Sequence, residues 1–217
     1  MLKRHYPNPH RFLCVTDTPH EITRIDRTIE TVELWKEYAD LVSPHGAHNP
    51  SCYRRLRLFA PDAARVFGDV DLVSLDLDTV IVRDVAPVFD RPEEFVAFGE
   101  TDPRSHYNGS FMKLRAGTRP QVWERFAADP EGMREKAKGD GRFGSDQGIV
   151  SYVLQDEDRN RTEPIWGPKD GVYSFRVHLG SGKHPLPGDA RLISFHGGID
   201  PWDVRAQRLQ WVKRHYQ

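Results

Sequence analysis

Two carboxylates and one imidazole stand where apolar runs of this chain give out. Val70 to Val82 reads Val-Asp-Leu-Val-Ser-Leu-Asp-Leu-Asp-Thr-Val-Ile-Val, a β pattern carrying Asp76 and Asp78 two residues apart. Side chains two apart on a strand point the same way, so both acids can serve one ion. A divalent cation that carries a diphosphate needs such a clamp of oxygen ligands. The third group is His196, which follows the apolar run Arg191-Leu192-Ile193-Ser194-Phe195. Open α/β sheets bind ligands at the carboxyl ends of their strands, so the three groups are predicted to converge there. Two carboxylates and an imidazole suit Mn²⁺, with Mg²⁺ the alternative, because imidazole softens the site and few protein ligands leave positions for phosphate oxygens. An Asp-x-Asp pair by itself is a common solvated loop feature, and a lone histidine is more often a hydrogen-bonding residue. The strand context is what makes this pair a candidate clamp.

The elements that must position these groups follow from periodicity and turn chemistry. Arg11 to Thr16 reads as a buried strand, and residues 28 to 40 carry an imperfect helical pattern of Ile29, Val32, Leu34 and Trp35. A loop with Pro44, His45, Gly46 and Pro50 follows, after which Ser51 is placed to cap a helix bearing Tyr53, Leu56 and Phe59. Phe95 to Phe98 and Gly109 to Leu114 are further strands, and Pro120 to Ala128 is a helix with Val122, Trp123 and Phe126 inward. Glycines and charges from Gly132 to Gly144 read as a mobile connection. Ser145 is then placed to cap a helix through Gln155, and Pro201 fits the first turn of a short helix near the end. Alternating strands and helices predict an α/β fold with a mixed sheet, in one domain spanning residues 1–217.

Composition narrows the class. The 31 basic and 32 acidic residues give a formal charge of -1, which argues against nucleic acid as the main partner. Cys14 and Cys52 have neither metal-ligand spacing nor a disulfide framework, as suits a reducing compartment. No run reaches the apolar length of a membrane span or a signal segment, so a cytoplasmic protein is expected. The oligomeric state is not specified by any of these features.

In order along the chain, the residues resemble the metal-dependent glycosyltransferases of the GT-A fold, and within them the retaining family 8 group of glycogenin and bacterial galactosyltransferases. Arg55-Leu56-Arg57-Leu58 looks like the arginine-bearing helix upstream of the acidic strand, and Asp76-Leu77-Asp78 looks like the D-x-D motif. Tyr107-Asn108-Gly109-Ser110 resembles the sugar-binding turn, and Gly144-Ser145-Asp146-Gln147-Gly148 the Asp-Gln motif. His196-Gly197-Gly198-Ile199-Asp200-Pro201-Trp202 resembles the H-G-x-x-K-P-W signature. The resemblance implies that Asp76, Asp78 and His196 hold the metal, and that Arg55, Asp76, Asn108 and Gly197 bind the nucleotide diphosphate sugar donor. It also implies that Asp146 and Gln147 act on the transferred sugar and a hydroxyl-bearing acceptor, with Gln147 near the anomeric carbon.

Two departures accompany it. Asp200 stands where the family has a lysine that contacts the diphosphate, and Arg191, Lys169 and Lys183 are the candidate replacements. The chain also begins at what resembles the element after the family's first strand, so that strand is expected to be lacking. These departures keep a second class open, a degenerate nucleotide-sugar or glycan binding protein without turnover. Metal-dependent nucleotidyl transfer ranks last, because no glycine-rich basic phosphate loop precedes the acids.

Overall fold

The computed structural model describes residues 1–46, 51–99, 101–102 and 104–216, so Pro50 of the predicted loop lies outside the described residues. The first two strands, β1 (Leu13–Thr16) and β2 (Glu30–Glu33), pair in parallel. A four-stranded sheet is built from β3 (Asp71–Leu75), β5 (Phe95–Phe98), β6 (Asn108–Arg115) and β7 (Ile165–Trp166), in the order β3-β6-β5-β7. A three-stranded sheet takes β4 (Thr79–Ile81), β8 (Val172–Ser174) and β9 (Leu192–Ser194), in the order β4-β9-β8. Parallel and antiparallel pairs occur in both larger sheets, as a mixed α/β fold requires.

Alternation along the strands stacks these sheets into layers. Phe95 and Ala97 of β5 pack with Tyr53, Leu56, Phe59, Val122 and Phe126 from the helical side, whereas Val96 and Phe98 face the other way. The latter two meet Ile81, Val172 and Leu192 of the three-stranded sheet, with Phe111 and Trp166 stacked at 4.0 Å between them. The opposite face of that second sheet, through Val80, Ile193 and Phe195, is covered by Ala206 and Val212 near the carboxyl terminus. Both sheets are thus buried on two faces, which is why their strands read as apolar runs rather than as alternating ones.

Several predicted elements differ. Val70 to Val82 is two strands in two sheets, with a turn at Leu77 and Asp78 between them. Residues 30–33 are a strand rather than part of a helix, because pairing with β1 decides what the local pattern left ambiguous. The stretch from Gly132 to Gly144, expected as a mobile connection, is in its first part the continuation of a helix, Pro130–Gly139. Asp129 caps it by accepting from the Gly132 amide at 2.9 Å, Pro130 opens it, and Met133 and Ala137 form its buried stripe. Ser51 and Ser145 occupy cap positions without a side-chain cap bond, and the Ser51 helix is of the 3-10 type over Cys52–Phe59. Pro201 lies in a turn ahead of the helix Val204–Gln207.

The helix Asp146–Val153 is seated by a glycine. A Cβ added to Gly148 would overlap the Phe143 carbonyl oxygen, and a backbone atom cannot swing aside. Gly148→Ala is therefore expected to cost on the order of 3 kcal/mol, a drop of roughly 5 °C or more in melting temperature. Thermal melts followed by circular dichroism check this, and an unchanged transition would refute it.

Candidate functional site

The acidic turn bridges the two larger sheets. Asp76 continues the pairing of β3 by donating its amide to the Ser110 carbonyl at 2.9 Å, and the Asp78 carbonyl accepts from the Phe195 amide at 3.0 Å. One acid is thereby tied to β6 and the other to the end of β9. Leu77, between them, is 85% exposed, so the turn presents an apolar side chain outward and keeps its carboxylates against the protein. The two acids are thus held by backbone bonds across a sheet-to-sheet passage rather than by the alternation of a single strand.

Arg55 organises the first half of the site from the 3-10 helix. Its Nη2 donates to Asp76 Oδ1 at 2.6 Å, its Nε lies 3.5 Å from Asp146 Oδ2, and its Nη1 donates to the Gly109 carbonyl. The Gly109 amide donates to Gln147 Oε1 at 3.2 Å, so the backbone of this one residue is held at both its N–H and its carbonyl. A Cβ there would run into the Arg55 guanidinium, which would have to give up its place beside the Gly109 carbonyl. Burial opposes the charge on Arg55, but Asp146 and Asp76 outweigh it and hold its pKa above the ordinary value. For Asp76 the balance tips the other way: burial raises its pKa, against the lowering by Arg55.

Asn108 is 5% exposed, and its carboxamide is spent within the protein. Its Oδ1 accepts from the Ser110 amide and hydroxyl at 2.8 and 2.6 Å, and its Nδ2 donates to Thr101 Oγ1 at 2.9 Å. In this arrangement Asn108 shapes the turn that presents Gly109. Arg55, Asp76, Asp146 and Gln147 meet around that glycine.

His196 stands at the other side of the acidic turn. Its Nε2 lies 2.7 Å from Ser174 Oγ at the end of β8, and its ring is 6.2 Å from Phe98. Burial, then the charges of Arg176 and His178, push its pKa down to about 4, so the imidazole is neutral at pH 7. Gly197 follows with φ +128°, a conformation that favours glycine. Among the described residues no three His, Cys, Asp or Glu side chains stand together closely enough to hold one metal ion. The expected set of Asp76, Asp78 and His196 is therefore not gathered into one ligand cluster in this arrangement.

The carboxylates themselves fit a cation. Asp78 Oδ1 is buried without a hydrogen-bond partner, an arrangement a bound dication would satisfy. Burial, followed by the charges of Asp76 and Asp200, raises the Asp78 carboxyl to about 6. Asp200 is thus close enough in field to add to the acidity around Asp78. Of the basic residues proposed to replace a lysine there, Arg191 and Lys169 line a cavity of about 390 Å³ with Arg83, Asp170 and Asp189. That cavity opens at the starts of β8 and β9, the ends opposite His196. The cation that does stand beside Gly197 is Arg176, which no motif in the sequence singled out: a Cβ on Gly197 would lie 3.4 Å from Arg176 Cδ.

No protein-family profile and no curated protein sequence matches the chain. Solved structures do. The chain is similar to the glycosyltransferase GlyE of Streptococcus pneumoniae TIGR4, with TM-score 0.58 at 13% identity over 97% of this chain and 55% of that one. The apo form of GlyE gives TM-score 0.59 at 16% identity over 97% of this chain and 54% of that one. The galactosyltransferase LgtC, solved with donor and acceptor sugar analogs, gives TM-score 0.60 at 12% identity over 97% of this chain and 87% of that one. The fold is therefore that of the GT-A glycosyltransferases, and the chain spans little more than half the length of the two GlyE structures. Among the described residues no helix is long and apolar enough to cross a membrane.

Proposed function

We propose that this chain is a metal-dependent glycosyltransferase that moves a sugar from a nucleotide diphosphate sugar to a hydroxyl-bearing acceptor with retention. The observation that carries the reading is the meeting of Arg55, Asp76, Asp146 and Gln147 around the Gly109 backbone, beside the unsatisfied carboxylate of Asp78. Asp76 and Asp78 would hold Mn²⁺ or Mg²⁺, which supplies positive charge for the departing nucleoside diphosphate. Arg55 keeps Asp76 and Asp146 in fixed positions, so their orientation is set before substrate arrives. The bond from Gly109 fixes the oxygen end of the Gln147 carboxamide and turns its two N–H donors to the remaining side, where a sugar hydroxyl can accept. The similarity to LgtC, crystallised with donor and acceptor sugar analogs, supports the same class of substrate.

The test is release of nucleoside diphosphate from a panel of nucleotide sugars with Mn²⁺. Release that a chelator suppresses is the expected result. One observation favours the rival reading of a binding protein without turnover: Asp200 adds negative charge near Asp78 where the donor's phosphates would lie. Thermal stabilisation by the nucleotide sugars with no release of diphosphate would decide for that rival.

A further inference from the structure

A nucleoside diphosphate would enter a site in which the charges of Asp76 and Asp200 already act on the Asp78 carboxylate. One dication offsets only part of that charge, so a cation of the chain itself is needed at the carboxyl ends of β8 and β9. Arg55 is committed to Asp76, Asp146 and the Gly109 carbonyl. Arg83, Lys169 and Arg191 face a cavity at the opposite ends of the strands. Arg176 is placed differently. It is exposed, two residues beyond the end of β8, and its stem runs beside Gly197, the residue after His196. Because β8 and β9 are parallel neighbours, with Ser174 opposite Ser194, the loops carrying Arg176 and Gly197 leave the sheet on one rim. Asp102, whose charge senses Arg176, makes its ion pair with Arg104 instead, at 2.8 Å. None of the ion pairs formed among the described residues includes Arg176. A guanidinium without an ion-pair partner among the described residues, next to a glycine that leaves room for a ligand's oxygens, is the form an anion contact takes.

We propose that Arg176 supplies the chain's positive charge to the donor diphosphate, a role transferred from position 200 to the loop after β8. The inference rests on the nucleotide-sugar reading above. It also accounts for Asp200, since the rim can bear an acid at one loop once the neighbouring loop carries the cation.

Calorimetry with ADP, CDP, GDP and UDP in the presence of Mn²⁺ tests it. Arg176→Gln is expected to weaken whichever diphosphate the wild type binds by about tenfold to a hundredfold, the loss of one charge-assisted hydrogen bond. Its thermal melt is expected to match the wild type, because the side chain is exposed. Adding Asp200→Lys to Arg176→Gln is expected to recover most of the lost affinity, which a merely structural role for Arg176 would not produce. If the wild type binds none of the four, the donor reading fails and this inference with it. If the wild type binds and Arg176→Gln binds equally well, the role of Arg176 alone is overturned. Loss that Asp200→Lys does not restore also counts against it, because the charge would then not be exchangeable between the two loops.

Discussion

Asp78→Asn is expected to lose at least about a hundredfold in metal-dependent turnover and, without metal, to be more stable than the wild type. The first half follows from removing the carboxylate whose free oxygen would meet the dication, a contact that stabilises developing charge on the leaving diphosphate. The second half follows from the cost of keeping that carboxylate ionised in the fold. Its pKa stands at about 6 against an ordinary 3.8, because it is buried and faces Asp76 and Asp200. A folded value above the unfolded one means that the protonated acid is the form the fold prefers. The penalty is absent below about pH 4, grows as pH rises toward 6, and is fully present at pH 7 at about 3 kcal/mol. Asparagine keeps the shape without the charge, so its advantage is expected to vanish at pH 4 and reach roughly 5 to 10 °C at pH 7.5. Adding Mn²⁺ should raise the melting temperature of the wild type and leave the variant where it was. Equal melting temperatures at pH 7.5 without metal would refute the electrostatic account, and retained turnover would remove Asp78 from the site.

The same residue shows how far the sequence could be read. The period of a strand brings Asp76 and Asp78 together, yet they are held by a turn whose ends belong to different sheets. Periodicity along Val70 to Val82 could not reveal this, because both halves are buried on two faces and both read as apolar. Arg55, Asp146 and Gln147 are legible only through ordered resemblance, since Arg55 lies on the 3-10 helix while Asp146 and Gln147 open the helix Asp146–Val153, and no local pattern links the two elements. The residue that joins them, Gly109, has no side chain to mark it. Helix Pro130–Gly139 is hidden in the sequence because its glycines and charges outweigh a cap at Asp129 and a sparse stripe of Met133 and Ala137. Arg176 left no sequence signal at all. Its place depends on the parallel pairing of β8 with β9, a contact between segments about twenty residues apart that composition does not encode.

Arg55→Leu is expected to be among the most destabilising single changes, because it strips the cation from two acids at once. Asp146 has a side chain only 9% exposed, and Asp76 is already disfavoured as an anion by burial. Removing one partner of a buried charge pair while leaving the other costs about 3 to 5 kcal/mol, or roughly 10 °C in melting temperature for a chain of this size. Arg55→Lys should recover only part of this loss, since a single ammonium cannot serve Asp76, Asp146 and the Gly109 carbonyl with the fork that a guanidinium provides. Combining Arg55→Leu with Asp146→Asn should then cost less than Arg55→Leu alone, as the stranded charge is removed with its partner. A purely additive double variant would mean that Arg55 matters through packing and not through the pair. Arg55 and Asp78 are thus opposite cases within one site. The acids that meet the guanidinium are neutralised within the fold, so their geometry is settled by the chain. Asp78 is left with an unmet oxygen, and the charge that completes it has to come from outside.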